Sequence, residues 1–266
     1  MDCLDWRNMK NLYMAALCLA GSAAPACAYD WKMSALVSYD TGKYGTPDRT
    51  NTLYIPLTLK RYYGDAAVSV TVPYLRQSST GQVTYVNGTP MRANRRTTTT
   101  TTGSSEAGLG DIMLRGSYPL LQDGPAAFDL ALAGSVKLPT ASKSKGLGTG
   151  RFDEGAGLEF GKEVAAGWTL LVDGYYTIIG EPAGASYRNQ LSLDFGFYRA
   201  LKKDLGLTVL YSARSAIVAG NPGPKDLSGT LDYKAADGNN YFCGLLLGLS
   251  DGSPAIGVNA GLSRRF

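Results

Sequence analysis

From Trp31 to Phe266 apolar and polar residues alternate in twelve separate runs, and this period of two restricts the fold more than any other feature of the chain. Successive side chains of a strand point to opposite faces, so an alternating run has one greasy face and one polar face. In the first run Trp31, Met33, Ala35, Val37 and Tyr39 share a face, with Lys32, Ser34, Ser38 and Asp40 on the other. The pattern repeats over residues 53–59, 66–74, 112–118, 128–138, 152–162, 168–178, 191–197, 205–211, 227–233, 241–249 and 256–266. The count is even, so the chain ends on the side where it began.

A soluble β-sandwich or lipocalin-like barrel alternates in the same way, with the apolar face turned inward. Four features favour the opposite arrangement. The polar face holds Ser, Thr, Gly, Asp and single Lys or Arg residues, as a confined lumen would, not a dense Lys/Glu mixture. Connections alternate between long (41–51, 76–110, 139–151, 180–189, 216–226) and tight (63–65, 122–125, 165–167, 202–204), the pattern of external loops and periplasmic turns. Aromatic residues mark run ends on the apolar face: Trp31, Tyr118, Trp168, Tyr233 and Tyr241 on the turn side, Tyr39, Tyr74 and Tyr176 on the loop side. Phe266 closes an alternating run, in the manner of an outer-membrane assembly signal. The expected fold is all-β: a transmembrane, antiparallel, up-and-down β-barrel of about 12 strands, because only a closed barrel leaves no strand edge unpaired in hydrocarbon. Pro56 and Pro73 interrupt two runs and are expected to mark bulges, since proline donates nothing to a ladder.

Lys10, the apolar stretch Leu12 to Ala20 and the site Ala26-Cys27-Ala28 read as an export signal over 1–28, leaving a single barrel domain over 29–266. The expected location is the bacterial outer membrane. Of the cysteines Cys3, Cys18, Cys27 and Cys243, only the last falls in the mature chain, so neither a disulfide framework nor a Cys-ligated metal site is expected within one molecule. Histidine is absent, which removes His-based nucleophile pairs, metal ligands and general bases together. No enzyme and no cofactor is expected. A net charge of +4 without a basic stripe argues against nucleic acid as a partner.

The polar faces supply the candidate sites: Lys60, Asp111, Arg115, Asp129, Lys137, Glu159, Asp173, Asp194 and Arg214 are expected to line the lumen. They read either as a selective pore lining or as an internal ion-pair network that rigidifies a narrow barrel. Between residues 76 and 106 lie Arg92, Arg95, Arg96 and the run Thr97 to Thr102. As a functional element this is a lid or a lipopolysaccharide-phosphate contact; the reading preferred is a mobile surface loop. The spacings Gly108-Leu109-Gly110 and Gly146-Leu147-Gly148-Thr149-Gly150 precede no helical pattern, which excludes a phosphate cradle.

Three stretches carry a family resemblance: Gly108-Leu109-Gly110-Asp111-Ile112, Val136-Lys137-Leu138-Pro139-Thr140, and Gly148-Thr149-Gly150 followed by Asp153. They resemble the outer-membrane transporter family labelled as a meta-pathway phenol-degradation family, over roughly residues 29–266. The resemblance implies a small porin-like barrel, sometimes encoded with aromatic-catabolism genes, and transfers no catalytic residue. Two functions are then expected in order: a channel passing small solutes by passive diffusion, aromatic or hydrophobic compounds among them, or a non-conducting structural or surface-interaction barrel. The expected partners are outer-membrane lipid and lipopolysaccharide, the barrel-assembly machinery and a small-molecule solute.

Overall fold

The computed structural model describes residues 30–78, 83–86, 88–93, 105–122 and 128–266. The export segment and the run Thr97 to Thr102, with Arg95 and Arg96, lie outside the described residues. The strands are β1 (Trp31–Gly42), β2 (Thr50–Tyr63), β3 (Ala66–Ser78), β4 (Val83–Val86), β5 (Thr89–Arg92), β6 (Ser105–Leu109), β7 (Ile112–Leu121) and β8 (Asp129–Leu138). They continue as β9 (Asp153–Ala165), β10 (Trp168–Ile179), β11 (Gln190–Ala200), β12 (Leu205–Arg214), β13 (Lys225–Lys234), β14 (Asn239–Gly248) and β15 (Ile256–Arg265). Thirteen of these form one antiparallel sheet, which closes on itself through β2–β3 and β1–β15. Because β6 and β7 both pair with β3, they make one stave, and the barrel has the twelve staves that the alternation implies. The seam is tight: Trp31 and Phe266 exchange both backbone hydrogen bonds, at 3.1 and 3.0 Å.

The two faces are inverted relative to a soluble protein. Met33, Leu57, Tyr118, Leu132, Leu193, Leu245 and Val258, all on the apolar faces of their runs, are exposed on the outside. Lys32, Lys60, Ser69, Lys137, Glu159, Ser212 and Asp232 are buried inside. An apolar surface that girdles a whole sheet cannot face water. The fold is a transmembrane barrel. Aromatic rings band its turn end, where the Arg61 guanidinium lies over the Trp31 and Tyr63 rings and Arg199 over Trp168. Such pairs sit at the boundary between acyl chains and water.

Tight turns close this end. Gly64-Asp65 joins the paired residues Tyr63 and Ala66, with Gly64 at a φ of 63°, a conformation that disfavours a side chain. Longer connections occupy the other end, including 139–152 between β8 and β9.

Two expectations are corrected. Pro56 and Pro73 mark no bulge in their own hairpin: they are direct cross-strand partners in an unbroken β2–β3 register. The irregularity lies one stave over. Pairing of β3 passes from Thr71↔Met113 to Tyr74↔Leu109, a slip of one residue at Gly110–Asp111 opposite Pro73. A Cβ on Gly110 would meet the Pro73 ring at 2.9 Å, so the bulge forms where glycine lets the chain pass the ring. The second correction concerns the long connection after β3. It is not a mobile surface loop throughout, for β4 and β5 pair as a hairpin whose Val83, Val86 and Met91 are buried.

Candidate functional site

The side chains that alternation turns inward meet in the lumen, where strands from nearly every part of the ring line a cavity of about 280 Å³. Pro56, Met113, Ala133 and Leu171 give one arc of the wall an apolar character. Ser192, Ser212, Ser228, Thr230 and Asn259 make the opposite arc polar. This volume is close to the lower end of small-molecule pockets, about 300–1,000 Å³.

Four of the nine candidate lining residues reach this cavity: Arg115, Asp173, Asp194 and Arg214. The Arg214 guanidinium holds Asp194 at 3.2 Å and Asp226 at 3.8 Å, linking β11, β12 and β13. Arg115 faces Glu159, Tyr175 and Tyr54, and Tyr175 donates its hydroxyl proton to Glu159 at 2.8 Å. A Cβ on Gly157 would lie 2.4 Å from the Tyr175 ring, so glycine on β9 is what lets that ring lie flat along the wall. Lys60 is buried at the turn end, and Asp129 stands there opposite Gly161.

Asp111 and Lys137 belong to a separate cluster under the loop between β8 and β9. The Lys137 ammonium, with a side chain only 3% exposed, contacts Asp153 at 2.8 Å, Asp111 at 3.2 Å and the Thr149 hydroxyl at 3.1 Å. Asp111 also accepts the Ala141 backbone N–H at 2.9 Å. Lys137 is thus a tie that fixes a loop, away from the cavity wall.

The β4–β5 hairpin spans the loop end of the lumen. On one side Tyr85 stacks on Tyr54 of β2. On the other, Val86 and Met91 pack with Ile179, Ile217 and Val218, and the Gln190 amide of β11 donates to the Met91 sulfur. In the ring β2 and β11 stand on opposite sides. Gly88, Thr89 and Pro90 at the hairpin tip form part of the cavity roof, and Arg92 donates to the Gly45 carbonyl at 2.7 Å. Burial, with Asp40 and Tyr44 nearby, pushes the Tyr85 hydroxyl well above its ordinary value, so it stays neutral.

Sequence reasoning misses this strut and several inward residues, Tyr198 and Asp153 among them. Tyr198 is 4% exposed, lines the cavity, and its hydroxyl has no hydrogen-bond partner. The polar-face parity of their strands was the signal that could have found them.

The barrel is similar to solved structures at low identity. The COG4313 outer membrane channel from Pseudomonas putida F1 superposes with a TM-score of 0.71 at 12% identity, covering 94% of this chain and 100% of that one. The NanC porin gives 0.56 at 8% identity, over 88% and 100%. The translocator domain of the autotransporter NalP from Neisseria meningitidis gives 0.52 at 12%, over 90% of each. These likenesses establish the architecture. No curated protein matches the chain. Residues 49–266 match the sequence profile of one family, and the chain belongs to that family, described as "Putative MetA-pathway of phenol degradation".

Proposed function

We propose that the protein is a bacterial outer-membrane channel that passes small solutes, aromatic or hydrophobic compounds among them, by passive diffusion. The observation that carries this reading is a polar and apolar cavity of about 280 Å³ enclosed by a barrel whose outside is apolar. Twelve staves leave more room than the eight that side chains alone can fill. The polar arc hydrates a solute's head while Pro56, Met113 and Leu171 accept its apolar body. No catalytic role is assigned to any lumen residue, and no cofactor or nucleic acid enters the mechanism. Of the nine lining candidates, Arg115, Asp173, Asp194 and Arg214 line the cavity that holds the solute, and the other five lie beyond its wall.

The membrane partners follow from the surface. Lys43, Arg49, Lys145 and Arg188 at the loop end suit lipopolysaccharide phosphates. Phe266, exposed beside the seam, is the side chain for the barrel-assembly machinery to read.

Reconstitution of residues 29–266 into planar bilayers and swelling liposomes tests the channel. Discrete conductance steps and swelling in arabinose are expected; the absence of both would falsify it. One observation favours a second reading, a non-conducting barrel: the hairpin crosses the loop end from β2 to β11. Removal of residues 83–92 separates the two. A channel conducts with its strut in place and more without it, whereas a barrel plugged by the hairpin conducts only once the hairpin is gone.

A further inference from the structure

Strand register places like charges side by side on the inner wall, in two rows on opposite sides of the ring. On β9, β10 and β11, Glu159 pairs directly with Asp173 and Asp173 with Asp194. On β2, β1 and β15, Lys60 pairs directly with Lys32 and Lys32 with Arg265. Like charges directly opposite across a ladder are destabilising, so neither row follows from the needs of the fold. The central strands of the rows, β10 and β1, stand six staves apart in a ring of twelve. Arg115 faces Glu159, Arg214 holds Asp194 and Asp232 acts on Lys32, so each row is partly compensated by opposite charge.

We infer that these rows set an electric field obliquely across the lumen, and that the field makes the protein a filter for neutral dipolar solutes. This rests on the channel reading. The acid row stands at mid-height and the cation row at the turn end. Asp173 stands five residues and Lys32 one residue from the turn-end start of its strand, an offset of about 13 Å along the strands at about 3.3 Å per residue, so the rows act on a solute in sequence. An anion entering from the loops meets Asp173 and Asp194 first. A cation that passes them meets Lys32, Lys60 and Arg265. A neutral molecule with a polar head meets no repulsive stage, and it is turned so that its positive end faces β10 and its negative end faces β1. The cavity between the rows offers such a head the unpartnered, buried Tyr198 hydroxyl. A low-dielectric wall strengthens both stages relative to water.

The test is the zero-current potential across planar bilayers in a potassium chloride gradient, for three proteins: the unaltered barrel, Glu159→Gln with Asp173→Asn, and Lys32→Gln with Lys60→Gln. All three are first shown to be folded by their heat-dependent gel mobility and to swell liposomes in arabinose. The unaltered barrel is expected to discriminate weakly between the ions. The acid-row variant turns toward chloride and the cation-row variant toward potassium, each by about threefold or more in permeability ratio. Single changes, Asp173→Asn and Lys32→Gln, give smaller shifts of the same signs and replace either double variant that fails to fold. Arabinose swelling with unmoved potentials overturns the field but keeps the channel. Loss of swelling in the unaltered barrel overturns the channel itself.

Discussion

The Tyr54 and Tyr85 rings stack with centroids 4.8 Å apart and planes 16° from parallel, which joins the inner hairpin to the barrel wall through one aromatic pair. Such a pair contributes about 0.5–1.5 kcal/mol beyond its buried area. Tyr85→Ala is therefore expected to raise the open fraction of the loop end about two- to tenfold, by the conversion of 1.4 kcal/mol per decade. Single-channel recording checks this through the mean conductance. An unchanged conductance with a folded variant would mean that the stack holds nothing closed.

Lys137 is wedged between Asp111 and Asp153 in a dry site. Lys137→Met strands two carboxylates, and breaking a buried ion pair by removing one partner costs about 3–5 kcal/mol. The urea midpoint of the variant in detergent should fall accordingly. Adding Asp111→Asn and Asp153→Asn should restore most of the loss, because the stranded charges are then gone. A single variant as stable as the parent would show that the tie is dispensable.

Gly157 leaves room for the Tyr175 ring, and a methyl group there overlaps both the ring and the Gly174 carbonyl. Gly157→Ala should cost about 1–3 kcal/mol as overpacking. It should also narrow the lumen by swinging the ring off Glu159. Thermal unfolding reads the first effect and conductance the second; a larger conductance would contradict this geometry.

The outward face of β14 gives a direct check on which side meets lipid. Leu245 is exposed beside Val258 and Gly229. Leu245→Arg should oppose folding into vesicles by about 2–4 kcal/mol. The inward Ser228→Arg, into the cavity, should fold as the parent does. Equal folding of both variants would remove the assignment of faces.

Particular residues show how far the sequence could be read. Every stave is legible because alternation survives even in glycine-rich β9, and parity alone puts Lys60, Asp173 and Asp194 on the polar faces of their strands. Their assembly into rows was not visible, since parity says which face a residue takes but not which residue on the next strand stands beside it. That depends on turn length and on slips such as the one at Gly110–Asp111. The hairpin escaped for another reason. Strands of four residues carry too little alternation to register, and Val83, Val86 and Met91 look like any apolar residues in a long loop until a partner wall is present. Parity puts Lys137 on a polar face, but its role as a tie comes from Asp153, which only the β8–β9 register brings to it.

The seam between β1 and β15 has a consequence for biogenesis. Each stave is held on both flanks, so a sheet lacking any one of them exposes two raw edges of peptide groups to acyl chains. A partly built ring has no stable resting place in the bilayer interior. Entry into the hydrocarbon and sealing of Trp31 against Phe266 must therefore occur as one concerted event, or under the shelter of another protein that lends its own edge meanwhile.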